Sequence, residues 1–420
     1  MTDRLSSAVE TVKLYYEDSH LFSFEATVAG VYLKGDGTFP EGLYPEGSSA
    51  AIEPDRTAFF PEGGGQASDT GRMGPFRVVH VSEESGRILH FVDSSGLSDL
   101  PEPGNVLECE VDREQRLNRM QNHSGEHIVS GLVNSAFGYE NVGFHMDRGF
   151  MTIDFSGELT QEQLEEIETR ANGAVRANLP VRAYFPSAEE LKNLDYRSKL
   201  DLTENVRIVE IEGIDRCACC APHVSRTGEV GIIKILSAER HRGGSRVTLT
   251  CGMDALDNFR RRQNSAGEIS QLLSVPRDNI SDAVCRLAEE RDRLKFERAG
   301  LETELVRLQA AGYPEMTDGN IVIFCGYSEP ACRELVNCLV PKCSGMVGVF
   351  FDAQPVSQEK EPASAPVYRY IIGSGTVDLR KQAREINSAI NGRGGGKPGM
   401  IMGSASASEE VIRSFFGDMA

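Results

Sequence analysis

The chain has 420 residues, 40% of them apolar and 25% charged, with ten cysteines and a formal net charge of −19. That length exceeds one typical core, and the composition is that of an ordinary globular protein. It argues against a disulfide scaffold, a generic polyanion binder and a membrane-spanning helix, since no apolar run approaches a bilayer's thickness.

The polar start Met1-Thr2-Asp3-Arg4-Leu5 lacks the pattern of a secretory leader, so a soluble, cytoplasmic protein with no membrane contact is expected. Residues 10 to 110 read as strands and turns. Apolar and polar residues mix in Phe24-Glu25-Ala26-Thr27-Val28, Phe76-Arg77-Val78-Val79-His80-Val81 and Val106-Leu107-Glu108-Cys109-Glu110-Val111, with Gly, Pro and Asp between them. A small β-barrel fits that pattern. Inside it lies Pro61-Glu62-Gly63-Gly64-Gly65-Gln66-Ala67-Ser68-Asp69-Thr70-Gly71. Three consecutive glycines are costly in backbone entropy and mark a tight turn, a close approach to a ligand or a plain surface loop.

Residues 113 to 135 have a helical pattern that contains Asn122-His123-Ser124-Gly125-Glu126-His127. The i, i+4 spacing puts both imidazoles on one helix face. A strand follows at Met151-Thr152-Ile153-Asp154-Phe155, and capping boxes at Thr160 with Gln163 and Ser187 with Glu190 start two helices. The strand Val206-Arg207-Ile208-Val209-Glu210-Ile211 then delivers the chain to Cys217-Ala218-Cys219-Cys220-Ala221-Pro222-His223. Thiol and imidazole donors at such spacing, added to the histidine pair, are zinc chemistry, usually four ligands in a tetrahedron. The other cysteines are scattered and read as buried small hydrophobes. Another strand, Gly231-Ile232-Ile233-Lys234-Ile235, leaves the loop, so an α+β domain ends near residue 258. Arg240-His241-Arg242-Gly243-Gly244-Ser245-Arg246 is a local basic cluster of the kind that contacts phosphates despite the net charge.

Pro276 opens a new regime. Apolar positions 280, 284, 287, 294, 301, 305 and 308 share one seam with Arg291 and Arg298. The stripe covers about four heptads and predicts a long amphipathic helix or coiled coil, as a self-packed hairpin or a homodimer. After Gly312-Tyr313-Pro314, strands such as Ile321-Val322-Ile323-Phe324 and Met346-Val347-Gly348-Val349-Phe350-Phe351 alternate with helices. Residues 359 to 366 read as a polar loop. Residues 391 to 400 read as a glycine loop, bearing Arg393 and Lys397, that leads into a final helix. This end is a small α/β domain.

Several of these segments resemble one family. Thr57-Ala58-Phe59-Phe60-Pro61-Glu62-Gly63-Gly64-Gly65-Gln66 with Asp69-Thr70-Gly71 resembles the glycine–Gln loop of alanyl-tRNA synthetase editing domains and free-standing AlaX proteins. Arg116 and Asn122-His123 through His127 resemble their Asn-His-x-x-x-His helix. Cys219 through His223, followed by Thr227-Gly228-Glu229-Val230-Gly231, resembles their Cys-x-x-x-His segment, and Gly143-Phe144-His145-Met146 with Thr152-Ile153-Asp154-Phe155 also fits. The long helix and the glycine segment of residues 393 to 400 are similar to the synthetase's C-terminal domain, which the long AlaX form retains. The family usually has two glycines and a Thr between Cys and His. Here Cys220, Ala221 and Pro222 stand there, so Cys217 and Cys220 compete with Cys219 as the thiolate.

The resemblance implies an α+β chain of four parts: a β-barrel domain with the glycine–Gln loop (1–110), a zinc-binding editing domain (111–258), a helical or coiled-coil linker (259–312) and a C-terminal tRNA-binding α/β domain (313–420). It implies one zinc ion on His123, His127, Cys219 and His223, and an ester hydrolase acting on tRNA(Ala) mischarged with serine or glycine. Gln66, Ser124 and Asp69 are the catalytic candidates. Gly64, Gly65, Gln66 and Arg246 are expected at the substrate, and Arg240, Arg242, Arg393 and Lys397 at the tRNA. No aminoacylation domain precedes residue 10, so ATP-dependent activation of alanine is not expected. Two other readings are a zinc-stabilised tRNA-binding protein without hydrolysis and an editor of Thr-type mischarged tRNA.

Overall fold

Alternation of apolar and polar side chains closes six antiparallel strands into a barrel, in the order Ser23–Leu33, Ala50–Pro54, Arg87–Asp93, Phe76–Glu84, Gly71–Met73, Val106–Val111. The computed structural model describes residues 10–35, 44–93, 99–198, 205–352 and 368–418; the expected loop at 359–366 lies outside them. The chain is mixed α+β and forms two compact units, Met1–Ser265 and Ala266–Ala420. In the barrel, a bulge between Val78 and His80 resets the two-residue period, so Phe76, Val78 and Val81 all reach one core.

The helix Arg113–Phe137 starts where the Asp112 carboxylate accepts the amide of Gln115, and ends at Gly138 in the left-handed region, φ +69°. It buries Ile128, Val129 and Leu132 against Met151, Ile153, Val247 and Leu249. The last four lie on a four-stranded antiparallel sheet ordered Ile233–His241, Gly244–Cys251, Phe150–Phe155, Asn141–Asp147. Helix Gln161–Ala177 packs into the same core, and its Thr160–Gln163 capping box forms, as does that of Ser187 and Glu190. A three-stranded sheet, Val181–Tyr184, Ile208–Ile211, Asp215–Ala218, carries the chain to the cysteine loop.

One buried ion pair ties the barrel to this helix. Arg116, fully buried, donates from Nε to Asp69 Oδ2 at 2.9 Å and from Nη1 to Ser19 O at 3.0 Å, and its Nη2 reaches Asp69 and Ala58 O. The same Asp69 oxygen accepts the amide of Phe60 at 2.7 Å.

In the second unit, five strands are ordered Ile321–Cys325, Val347–Asp352, Tyr368–Gly373, Met400–Ala405, Gly392–Lys397; the first pair is parallel and the rest antiparallel. Val347, Val349 and Ile371 pack against Leu335, Val336 and Leu339 of helix Glu329–Leu339 on one side. Phe350, Tyr370 and Ile372 pack against Leu379, Ile386 and Phe416 on the other. One expectation is corrected here. The glycine segment is not a loop but the edge strand Gly392–Lys397, paired with Met400–Ala405. Glycine disfavours strands, but a Cβ on Gly394 would sit 2.3 Å from both Met402 O and Tyr370 Oη, so close backbone approach decides. The expected long helix forms, and its heptad stripe is not the face that packs within this chain. Helices Gly252–Leu273 and Ile280–Ala311 flank Pro276, but in the second Leu287, Leu294, Leu301 and Leu308 are exposed. Val306 and Ala310, one i+4 row, are buried instead, because small Ala310 admits the neighbouring helix. No helix among the described residues is long and apolar enough to cross a membrane.

Two outcomes are expected. Asp69→Asn leaves the Arg116 charge uncompensated and lowers unfolding free energy by about 3–5 kcal/mol in denaturant titrations. His90 lies fully buried in the barrel, its Nε2 2.9 Å from Thr57 Oγ1, and burial pushes its pKa down to about 3. The unfolded chain protonates this histidine below about 6.5 while the folded chain does not, so acidification from there towards 3 costs about 1.4 kcal/mol per pH unit. His90→Gln should flatten the stability profile by that slope; parallel profiles would contradict a neutral buried imidazole.

Candidate metal centre

The three histidine rings are each held at Nδ1. His123 Nδ1 lies 2.8 Å from Gln66 Oε1, His127 Nδ1 lies 2.9 Å from Asp215 Oδ2, and His223 Nδ1 lies 3.0 Å from Ser124 Oγ. With Nδ1 as the donor in each pair, every Nε2 keeps its lone pair for a ligand. These nitrogens converge on Cys219: its Sγ is 3.6 Å from His123 Nε2 and 3.3 Å from His223 Nε2. One ligand atom from each of His123, His127, Cys219 and His223 lies within 4.8 Å of the others, a group that could hold a metal ion.

The supporting residues come from separate elements. Asp215 is gripped by Arg197, Nε to Oδ1 at 2.7 Å and Nη2 to Oδ2 at 2.9 Å, which fixes the carboxylate that aims His127. Arg207 Nη1 donates to the carbonyls of Cys219 and Ala221 at 3.0 and 2.9 Å, pinning the cysteine loop. Asn122 accepts the Cys251 amide at 2.9 Å and donates to Asp254, locking the helix to the sheet beside His123.

Gln66 arrives through a tight turn. Gly63 and Gln66 exchange backbone hydrogen bonds of 3.1 and 3.0 Å, while Gly64 and Gly65 have φ of +61° and +83°, the positive pair of a primed hairpin turn. A Cβ on Gly65 would stand 2.7 Å from Phe144 O, so only glycine lets this turn seat against strand Asn141–Asp147. Gln66 Oε1 serves His123, and Gln66 Nε2 is buried with no hydrogen-bond partner.

Electrostatics separate the three cysteines. Burial, the largest influence, pushes the Cys219 thiol up, but the His123 and His223 rings outweigh it and hold it well below its ordinary value. Burial raises Cys217 to about 11, so it stays protonated at neutral pH, and Cys220 stands exposed on the loop outside the converging group. His223 is driven by burial to about 3 and is neutral. At His127 burial is opposed by Glu126 and Asp215, which raise it well above the usual value; a bound cation would displace that proton.

The other expected site residues divide. Ser124 is buried, supporting His223 and accepting the Val224 amide at 3.2 Å, and Asp69 is committed to Arg116 and Phe60. Arg246 makes a two-point pair with Asp154 at 2.7 and 2.8 Å, and Arg240 pairs with Glu158. Arg242 stands exposed in the hairpin turn that joins their strands, at φ +48°. Arg393 and Lys397 project from the edge strand of the second unit and are exposed. Asp215, Arg197, Arg207 and Glu126 went unnoticed in the sequence. The last lies inside the His-x-x-x-His spacing and was the most findable; the others are ordinary strand or loop charges.

Known proteins show what the chain is similar to. A model of the threonyl and alanyl tRNA synthetase second additional domain matches residues 206–247, the segment holding Cys219 and His223. The alanine–tRNA ligase of Methanopyrus kandleri is 30% identical over 413 residues, 94% of this chain but 42% of the ligase. The chain thus spans less than half the length of the ligases it matches. The alanyl-tRNA editing protein Aarsd1 of Danio rerio is 26% identical over 356 residues, 84% of this chain and 83% of that protein. The chain is AlaX-like. The C-Ala domain of Aquifex aeolicus alanyl-tRNA synthetase is similar over 25% of this chain and 92% of that domain, at 16% identity and a TM-score of 0.19, too low to bear on the fold.

For this AlaX-like chain, Cys219→Ser should abolish stoichiometric metal binding, whereas Cys217→Ser and Cys220→Ser should leave it intact by elemental analysis. Asp215→Asn should weaken metal affinity about 10–100-fold against a competing chelator dye.

Proposed function

We propose that this protein is a trans-editing hydrolase that deacylates mischarged tRNA(Ala), Ser-tRNA(Ala) before Gly-tRNA(Ala), with one zinc ion on His123, His127, Cys219 and His223. The observation that carries the reading is the convergence of three Nδ1-anchored imidazoles and one thiolate beside the glycine–Gln turn. Nitrogen and sulfur donors in a set of four suit zinc better than the hard, oxygen-preferring cations. Zinc at such a site polarises an ester carbonyl or lowers the pKa of a water molecule to ~7.

The chain's own residues position the substrate. Gln66 Nε2, a buried donor without a partner, is suited to the hydroxyl of a seryl group. An alanyl group would leave that donor unpaired, and a site built this way discriminates by hydroxyl far better than an alanine pocket discriminates by one methyl, worth ~1–3 kcal/mol. The Gly64–Gly65 turn leaves room for the acyl group against main chain, since a Cβ on Gly64 would meet nothing within 4 Å. Arg242, exposed in its turn, would contact the acceptor end, and Arg393 and Lys397, with residues 313–420, the tRNA body. Arg246 and Arg240, already paired with Asp154 and Glu158, act through the local fold and field.

The decisive assay incubates the purified protein with Ser-, Gly-, Ala- and Thr-charged tRNA, with and without chelator. Chelator-sensitive loss of Ser-tRNA(Ala) and sparing of Ala-tRNA(Ala) is the expected result. Binding without hydrolysis would favour a zinc-stabilised tRNA-binding protein, and loss of Thr-tRNA alone a Thr-type editor. Full hydrolysis by a metal-free His123→Ala, Cys219→Ala double variant would remove zinc from the reaction. Gln66→Ala should reduce Ser-tRNA turnover by about 10²-fold or more, since a lost buried hydrogen bond and a loosened His123 ring act together.

A further inference from the structure

Glu126 lies between two of the candidate ligands in sequence and is 5% exposed, yet it is not among the four residues whose donor atoms converge. Its carboxylate is asymmetric in its bonding. Oε1 accepts from Ser130 Oγ and from Asn141 Nδ2, both at 2.6 Å, so the group is clamped between its own helix and strand Asn141–Asp147. Oε2 accepts no hydrogen bond among the described residues; its ionic contact is His127 Nε2 at 3.8 Å, the nitrogen that a bound cation would occupy. A buried carboxylate with one committed and one vacant oxygen is costly unless a cation or donor completes it.

The other buried carboxylates at the cluster are already used. Asp215 divides both oxygens between His127 and Arg197, and Asp69 serves Arg116 and the Phe60 amide. Other groups of the site match the rest of the substrate's needs: the metal cluster the ester carbonyl, and Gln66 Nε2 a side-chain hydroxyl. An aminoacyl ester has one more polar group, an α-ammonium two covalent bonds from the carbonyl carbon, which must be desolvated when the acyl group enters. It therefore needs an anion next to the cluster.

Resting on the editing reaction above, we propose that Glu126 Oε2 binds the α-ammonium of the aminoacyl group. The site then selects esters of α-amino acids over neutral acyl esters, and holds the acyl chain at three points, carbonyl, ammonium and side chain. Three-point attachment fixes one configuration at the α-carbon, so the same contact disfavours the D-enantiomer.

The test uses two non-hydrolysable adenosine 3′-amides: seryl amide, and its α-hydroxy counterpart, which is isosteric but neutral. Calorimetric titration of the metal-loaded full-length protein should show the seryl amide bound at least about 10-fold more tightly, as charge-pair truncations lead one to expect. Glu126→Gln should bring the two amides to within about 3-fold while metal content stays at the parent's value. Equal affinities in the parent, an undiminished preference in Glu126→Gln, or loss of metal from that variant would each overturn the assignment. Parallel assays on Ser-tRNA(Ala) keep the two readings apart. A parent that prefers the ammonium but hydrolyses nothing would sink the reaction and spare Glu126. A parent that hydrolyses with no ammonium preference would do the reverse.

Discussion

The pairing of Arg116 with Asp69 is the constraint on which the rest of the first unit depends. Both groups are removed from water, so each is tolerable only while the other is in place. Arg116 is seven residues, about two helical turns, before His123, and Asp69 is three residues after Gln66. The ion pair therefore sets the position of the glycine turn relative to the histidine helix, and the 2.8 Å contact between Gln66 and His123 is a consequence. Barrel and helix each fold on local rules; their alignment rests on this charge pair, reinforced by Arg119, whose Nη1 reaches Ser68 O at 2.6 Å and Asp69 Oδ1 at 3.5 Å, and by Thr70 Oγ1, which donates to Gln115 Oε1 at 3.0 Å.

A similar economy governs the metal centre. Two ligands come from one helix and two from one loop, but the three ring-orienting groups come from the glycine turn, the strand that enters the cysteine loop, and the helix itself. Each ring is thus fixed by an element other than its own: Gln66 on the turn and Asp215 on the strand orient the two helix histidines, and Ser124 on the helix orients His223 on the loop. The arrangement makes ligand geometry a property of the whole unit. It also explains why Ser124 and Asp69, which look reactive in a motif, are spent on holding rings and charges in place.

Much of this was legible in the sequence. Mixed alternation and turn residues marked the barrel strands around residues 24–28, 76–81 and 106–111, though not the buried strands Ala50–Pro54 or Arg87–Asp93, and spacing of four placed both histidines on one helix face. Capping residues at Thr160 and Ser187 marked helix starts that the structure retains. Three things were not legible. The choice among Cys217, Cys219 and Cys220 depends on which sulfur the imidazoles surround, a property of loop closure that spacing does not carry. Asp215, Arg197 and Glu126 matter because of where distant segments meet. The long helix was expected, but not its packed face: the regular leucines form a seam exposed within the single chain, and the face that packs there is set by Val306 and the small side chain of Ala310.

The edge strand Gly392–Lys397 has a consequence for the protein's behaviour in solution. A strand nearly without side chains at the margin of a sheet offers bare peptide groups to any other extended segment. One outward carbonyl, that of Gly394, is taken by Asn387 Nδ2 at 3.0 Å. Further protection comes from helix Leu379–Ala389, which packs beside the strand, and from two cations, Arg393 and Lys397, which repel a second copy of the same edge. The charges that suit a phosphate backbone are also gatekeepers against sheet extension, so neutralising both would be felt first as self-association of the isolated protein.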